Sequence, residues 1–495
     1  MKMRTNRNLY ILFVLFILLP TLSCDSILEE ESYGLLTPEL TITSPSDLRS
    51  AVDGIYQTLK DSYGDRYSVL SLNWLASEIV TTPQGGSEGE LDRYRVEATN
   101  EILDNIFQTN YDGIKRANTV LEYADKIEFS NEEEKSKITG EAKFMRAFYY
   151  FTLVRLFGPL PIHLTVPKSP DEVHLSRSPV QTIYDEIIIP DLNFAIAHLP
   201  ENVSDSRANM TAAQVLLGKV YMTLEKWNEA LLPVQSVINS GNYNLTEDWS
   251  ELWNDPNENV EIILAIQYIN VPEQMNVLSP FFGINAGGGI GNPFYHAELP
   301  YYENYPDGPR KNALFLIEHV EPSGDTIRIG DPNWAQGWQK PLFKCYMDPE
   351  PSVIGHGIDI PLLRYADVLL MYAEILNEIN GPTLDAYEAI NKVRRRAAGE
   401  IIDLESDVDL KNLDKVEFRN AVFQERRWEL PLEGHSWFDA VRVGLVKFQE
   451  VMAASETDIE QVVDPIEDYR LLMPFPSFEI QRNNKLDFSD QNPGY

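Results

Sequence analysis

The stretch Gly140-Glu-Ala-Lys-Phe-Met-Arg-Ala-Phe-Tyr-Tyr-Phe-Thr-Leu-Val-Arg-Leu-Phe-Gly-Pro-Leu-Pro161 decides how this chain folds. From Glu141 to Phe157 it contains no Gly or Pro, and apolar or aromatic residues fall on nearly every side of a 3.6-residue period. That pattern predicts a helix buried on most faces. Gly158 supplies a left-handed stop, and Pro159 and Pro161 prevent a restart. Lys143, Arg146 and Arg155 must then be paired, or must extend along their apolar stems.

Helical patterns continue outward in both directions. Ser46 reads as an N-cap for a helix over Asp47–Lys60 with Leu48, Val52, Ile55, Tyr56 and Leu59 on one face. A second helix is expected over Tyr67–Val80. Thr81–Glu90, with Pro83, Gly85, Gly86 and Gly89, reads as a loop. Helices follow over Glu101–Ile127, Glu132–Phe157, Thr182–His198 and Thr211–Ser240. In the last of these, Leu217-Gly218, Tyr221 and Ala230 fall at tetratricopeptide spacings, where small residues let two antiparallel helices approach closely. A second pair, Tyr365–Ile379 and Leu384–Ala397, is joined through Gly381-Pro382. The fold class expected is therefore mainly α, a tetratricopeptide-like helical-repeat scaffold. Glu261–Tyr268 reads as a strand. Ser279–Pro341 is rich in Gly, Pro, Asn and aromatics, a loop-rich region with short strands such as Thr326–Ile329. Loops of this length in a compact protein usually carry function.

With 41 basic against 76 acidic residues, the formal net charge is −35. Such a surface repels phosphate backbones and anionic lipid, which argues against nucleic acid and favours neutral or cationic ligands. The two cysteines, Cys24 and Cys345, supply no disulfide framework. The seven histidines are scattered without zinc-ligand spacing, and Gly287-Gly-Gly-Ile-Gly-Asn292 lacks the Lys-Ser/Thr and helix of a phosphate loop. No metal or cofactor is expected. The run Glu425–Asp439 is dense in ionisable residues. Glu425, Arg426, Glu429, Glu433, Asp439 and Arg442 suit a buried ion-pair network between helices better than an active site.

The first residues read as a leader: basic residues before Asn8, an eleven-residue apolar run Leu9–Leu19, then Pro20-Thr-Leu-Ser-Cys24. Eleven residues are too few to span a bilayer. A small residue before Cys24 fits a lipoprotein signal peptide over 1–23 with Cys24 as the lipidated residue, the plain alternative being an ordinary leader with an incidental cysteine. Asp25 and Glu29–Glu31 begin an acidic tether, taken as 24–45.

Six motifs in order carry a resemblance to a known family: Gly140–Pro161; Tyr111-Asp-Gly-Ile-Lys-Arg-Ala-Asn-Thr-Val-Leu121; Arg364-Tyr-Ala-Asp-Val-Leu-Leu-Met-Tyr-Ala-Glu374; Ala389-Ile-Asn-Lys-Val-Arg-Arg-Arg-Ala397; Glu425–Asp439; and Met473-Pro-Phe-Pro476 with Gln491-Asn-Pro-Gly-Tyr495. Together they resemble the SusD/RagB family of outer-membrane nutrient-binding lipoproteins. That resemblance implies one SusD-like domain over 46–495, divided into an N-terminal helical part (46–260), a variable binding part (261–345) and a C-terminal helical part (346–495). It also implies a lipid-anchored, surface-exposed protein, with the acidic tether resembling a surface-export signal. Such a protein is no enzyme: it captures oligosaccharides and passes them to a SusC-like TonB-dependent transporter. A peptide-capturing homologue of the same architecture and a secreted glycoside hydrolase are the alternatives. A hydrolase needs a carboxylate pair that no sequence can choose among 76 acids.

Phe281–Arg310 holds seven aromatics, Phe281, Phe282, Phe294, Tyr295, Tyr301, Tyr302 and Tyr305, and aromatic rings stack on the C–H faces of sugars. Tyr301, Tyr302 and Tyr305 are expected to pack the loops onto the scaffold. Phe282, Phe294 and Tyr295 are expected to face ligand, and the family resemblance implies that the loop after the second helix, here with Arg93 and Tyr94, joins them. Trp334 and Trp338 are the foremost candidates, in a Gln- and Gly-containing loop with no apolar periodicity to bury them.

Overall fold

A computed structural model describes residues 37–201, 207–253, 259–269, 271, 274–283, 293–344, 357–455, 462 and 465–495. Contacts divide the chain into Met1–Thr43 and Ser44–Tyr495. In the first unit, residues 37–43 contain one helical turn, Pro38–Thr41. The leader, Cys24, Cys345 and the Gly287–Asn292 loop lie outside the described residues. All that follows concerns the second unit.

The scaffold is a succession of antiparallel helices: α1 (Pro45–Tyr63), α2 (Val69–Leu75), α3 (Gly86–Asp92), α4 (Glu101–Ala124), α5 (Glu132–Phe157), α6 (Ile189–His198), α7 (Met210–Thr223) and α8 (Trp227–Ser240). After the loop-rich region come α9 (Leu299–Asn304), α10 (Pro309–Leu314), α11 (Tyr365–Asn380), α12 (Leu384–Ala398), α13 (Lys415–Glu429), α14 (Ser436–Val443), α15 (Leu445–Ala453) and α16 (Ser477–Arg482). Among the described residues the strands form five short antiparallel pairs. The longest joins Ile262–Ile266 to Ile360–Arg364.

Helix α5 is central, as its sequence requires. The Asn131 side chain accepts from the Glu133 amide, Glu132, Glu133 and Glu134 face the positive end of the helix dipole, and Gly158 stops the helix at φ 71°. Lys143 and Arg146 are paired, and Arg155 is held by aromatic rings. Arg146 donates to both Asp191 oxygens (2.7 and 3.0 Å) and to Asn118 Oδ1 (2.9 Å), and Lys143 donates to Asp191 (2.7 Å). Arg155 stacks between the rings of Phe151 and Phe438. Close approach of α4 depends on Gly113, where an added Cβ would stand 2.4 Å from the Tyr149 ring.

Several boundaries differ from the sequence expectation for physical reasons. Helix α1 starts earlier, because Ser44 and not Ser46 is the N-cap: Ser44 and Asp47 form a reciprocal capping box around Pro45 at the first helical position. The expected second helix stops at Leu75, and Val80–Thr81 pairs instead with His296–Ala297. Thr81–Glu90 is not all loop, since Gly86–Asp92 is helical. The single helix expected over Thr182–His198 contains a π turn at Tyr184–Ile188, just before Pro190, which has no amide hydrogen to continue the α ladder.

The ionisable run around α13 is the buried network its sequence indicated. Glu429 accepts from Arg364 (2.6 Å), Arg310 (2.6 Å), Trp249 Nε1 (3.2 Å) and Arg396. Glu425 pairs with Arg310 (2.7 Å) and Glu433 with Arg364 (2.7 and 2.8 Å). Arg426 bridges Asp367 (2.7 Å) and Asp439 (2.8 Å), while Arg442 holds Glu374 and Asp439. Every side chain named is buried or nearly so, which is tolerable only because each charge meets an opposite one.

The C-terminal segment is tied back to the end of α5. Met473 N donates to Leu156 O (2.8 Å), and Asn492 Nδ2 donates to Phe157 O (3.1 Å) and Met473 O (2.7 Å). Arg177 reaches Phe157 O (2.8 Å) and Asn492 Oδ1 (2.6 Å). Tyr94, held at φ 55°, donates its hydroxyl to Arg470 O (2.7 Å).

Candidate ligand-binding face

The strand pair Val80–Thr81 with His296–Ala297 anchors the aromatic-rich segment against α2. Trp74 meets Phe282 and Tyr295 edge-on (ring centroids 5.3 and 5.9 Å), and Phe282 also meets Phe343 (5.9 Å). These rings form the base. Tyr295 donates its hydroxyl to Glu88 Oε1 (2.7 Å), and burial, reinforced by that carboxylate, raises its pKa far above the ordinary phenol value. Glu88 in turn receives Arg66 (Nε to Oε1, 2.6 Å), which fixes the guanidinium.

Above this base lies a platform. The Arg66 guanidinium sits over Phe294 (4.3 Å), Tyr67 (5.7 Å) and Phe281 (5.8 Å). Phe281 and Phe294 pack at 5.7 Å, and the Phe281 carbonyl accepts from both Phe294 and Tyr295 amides (2.9 Å each). Arg66, Tyr67, Phe281 and Phe294 are all half-buried, so rings and cation are held in place while part of their surface remains in water. Beside Tyr67 opens a pocket of about 280 Å³ lined by Asp65, Glu101, Asp104, Asn105 and Gln108. Asn105 is pinned by donating to Tyr67 O (2.6 Å). Burial raises the Asp104 carboxyl to about 6, against the pull of Arg482 and with help from Glu101, so near neutrality it exchanges between donor and acceptor forms. Ring faces adjoining carboxylates and amides match a polyhydroxylated ligand. Among the described residues, no group of three or more His, Cys, Asp or Glu is placed to hold a metal ion.

The expected ligand contacts divide. Phe294 belongs to the platform. Phe282 and Tyr295 do not face ligand: both are fully buried beneath it, because Trp74 and Phe343 close over them. Tyr94 is buried too, accepting from Trp437 Nε1 (2.9 Å) and packing on Phe448, and so serves the fold. Arg93 caps α3, with its guanidinium folded over Gly89. Trp334 is corrected most sharply. It is 0% exposed, its Nε1 donates to Lys340 O (2.9 Å), and it sits in a small core with Leu316, Ala335 and Leu342. A ring so enclosed has no face for a sugar. Trp338 is half-buried, packed on that core and stacked on His296 (5.7 Å). Tyr301 and Tyr305 pack as expected, donating to Arg427 O (2.8 Å) and Trp428 O (2.6 Å). Arg66 and Tyr67 were missed. Their only sequence signal is Gly64-Asp-Arg-Tyr67 in a break between two helical patterns.

A family model described as the SusD family matches residues 323–495, and another, described as "Starch-binding associating with outer membrane", matches residues 28–222. Among curated relatives, SusD-like protein P25 of Formosa agariphila is 27% identical, with 98% of this chain and 99% of the relative covered. SusD-like protein P2 of the same organism is 28% identical, covering 97% and 98%. A SusD superfamily protein from Parabacteroides distasonis has the same fold, with a TM-score of 0.77 at 24% identity over 91% of this chain and 99% of that one. A structure named as a laminarin binding SusD-like protein matches with a TM-score of 0.73 at 24% identity, covering 92% and 100%. With the motifs in order, the helical architecture in place and two models matched over separate parts of the chain, these findings support the SusD/RagB family.

Proposed function

We propose that this protein is a cell-surface glycan-binding lipoprotein, anchored through Cys24 in the outer membrane, that captures oligosaccharides for a SusC-like TonB-dependent transporter. The observation that carries this reading is the Arg66-braced platform of Tyr67, Phe281 and Phe294 beside the Asp104 pocket. Relatives named for laminarin and surface glycan binding support it, as does a family description that joins starch binding to the outer membrane. No helix of the described residues is long and apolar enough to cross a membrane, and the reading assigns membrane attachment to the lipid on Cys24. The ligand is bound, not cleaved.

A glycan and oligopeptide array, followed by calorimetry on the hits, tests the reading. Saturable binding of a glycan without release of reducing ends supports it. Turnover would make the protein a hydrolase, and binding of peptides alone would make it a peptide-capturing homologue. On the glycan identified, Tyr67→Ala and Phe294→Ala should each cost on the order of 1–3 kcal/mol of binding, as truncating an aromatic anchor does, with little change in melting temperature. Unaltered affinity in both would place the ligand elsewhere. Cys24→Ala should shift the protein from the membrane fraction to the medium, or leave it unprocessed, in cells lacking the transporter. Retention with membrane would refute the anchor. Mild detergent extraction should co-purify a large outer-membrane barrel.

A further inference from the structure

A second cavity, of about 310 Å³, lies at the C-terminal end of α5 between α7, α14 and the Leu471–Leu472 segment. Its walls are largely apolar, with Val154, Val180, Met222, Met371, Phe438 and Leu472 among them. Its charges do not balance. Lys219 and Arg426 share Asp367 (2.5 and 2.7 Å), and Arg426 and Arg442 share Asp439 (2.8 and 2.9 Å), with Glu374 also on Arg442 (2.5 Å). His435 adds no charge near neutrality, because burial, and then Lys219, lower its pKa to about 3.

The fourth cation of the lining is Arg155. Among the described residues it makes no ion pair. Its Nε donates to Phe151 O (3.0 Å), and the planar head lies between Phe151 (3.9 Å) and Phe438 (3.6 Å), leaving both terminal nitrogens without an acceptor among the described residues. Burial lowers its pKa to about 10, and it remains protonated near neutrality. Among the described residues, the four lining cations thus meet three carboxylates, Asp439 of the lining with Asp367 and Glu374 behind it, and the surplus charge is a rigid, bidentate donor at the edge of an apolar chamber.

We propose that this cavity binds a small organic anion with an apolar body, of the medium-chain carboxylate class: its carboxylate pairs with Arg155 and its chain lies along Val180, Met222 and Met371. The site is separate from the aromatic platform and does not depend on the glycan reading.

The test is calorimetric titration of the full chain with octanoate and with 1-octanol, which shares the chain and lacks the charge. Octanoate should bind saturably, and 1-octanol roughly tenfold or more weakly, the difference expected for a charge-assisted pair. Arg155→Gln should weaken octanoate to a similar degree. If that variant does not fold, Met222→Trp decides: it fills the chamber, leaves every charge in place and should abolish octanoate binding. Absence of saturable octanoate binding, equal affinity for 1-octanol, or unaltered binding in Met222→Trp would each overturn the proposal.

Discussion

Replacing Glu429 by Gln should cost about 3–5 kcal/mol of stability, the range for removing one partner from a buried charge network. The carboxylate is 0% exposed and accepts from three guanidinia and an indole, so the amide leaves Arg310, Arg364 and Arg396 with one negative charge too few. Denaturant titration followed by circular dichroism gives the size of the loss. Trp249, whose Nε1 touches Glu429, provides a local fluorescence readout. The network should also be visible in acid. Burial alone would raise the Glu429 carboxyl, but Arg396, Arg364 and Arg310 outweigh it and hold it at about 2, below its ordinary 4.5. A depressed carboxyl contributes stability that is complete above the unfolded value and disappears as pH falls through the folded one. Wild-type protein should therefore lose stability between pH 4.5 and about 2 more steeply than Glu429→Gln. Identical acid limbs, or a variant as stable as wild type, would show that the network contributes nothing net.

Trp334→Ala should be about as severe, roughly 3–5 kcal/mol, through a cavity and not through lost binding. Its indole fills the small core against Leu316 and Leu342 of the paired strands Phe315–Leu316 and Leu342–Phe343. Hydrogen exchange should accelerate across 315–343 and remain slow in α5. Full protection there would show that the ring contributes little to packing. Trp338→Ala, which removes a half-buried ring from the same cluster, should cost less.

These two residues also show how far sequence alone reaches. That Glu429 lies in a buried ion-pair network was legible from the dense ionisable run Glu425–Asp439, but its partners Arg310, Arg364 and Arg396 come from distant segments that the run does not indicate; the end of α5 was legible because Gly158 and the prolines after it stop the helix. Trp334 was misplaced because its enclosure comes from Leu316 and Leu342, on strands too short to show a period. The same holds for the face. The seven aromatics of Phe281–Arg310 mark a candidate region, but which rings meet water is decided by Trp74 and Phe343, and the platform is assembled by Arg66 from a gap between helices. Helix periodicity records burial along one element. It carries no information on which distant side chain will cover a loop.

An open stack of helix pairs ordinarily frays from its last repeat, where one surface has no neighbour. Here the last residues are bonded to Leu156 and Phe157 at the end of the central helix, and Tyr94 reaches Arg470 from the other side. The stack therefore has no loose end on that side from which to peel. Its middle also cannot be finished until its end has been synthesised, because the carbonyl of Leu156 receives the amide of Met473 only after that segment exists. Loss of the last two dozen residues should thus destabilise the whole protein and not merely shorten it, and a ribosome-bound chain lacking them should remain open to proteases along α5.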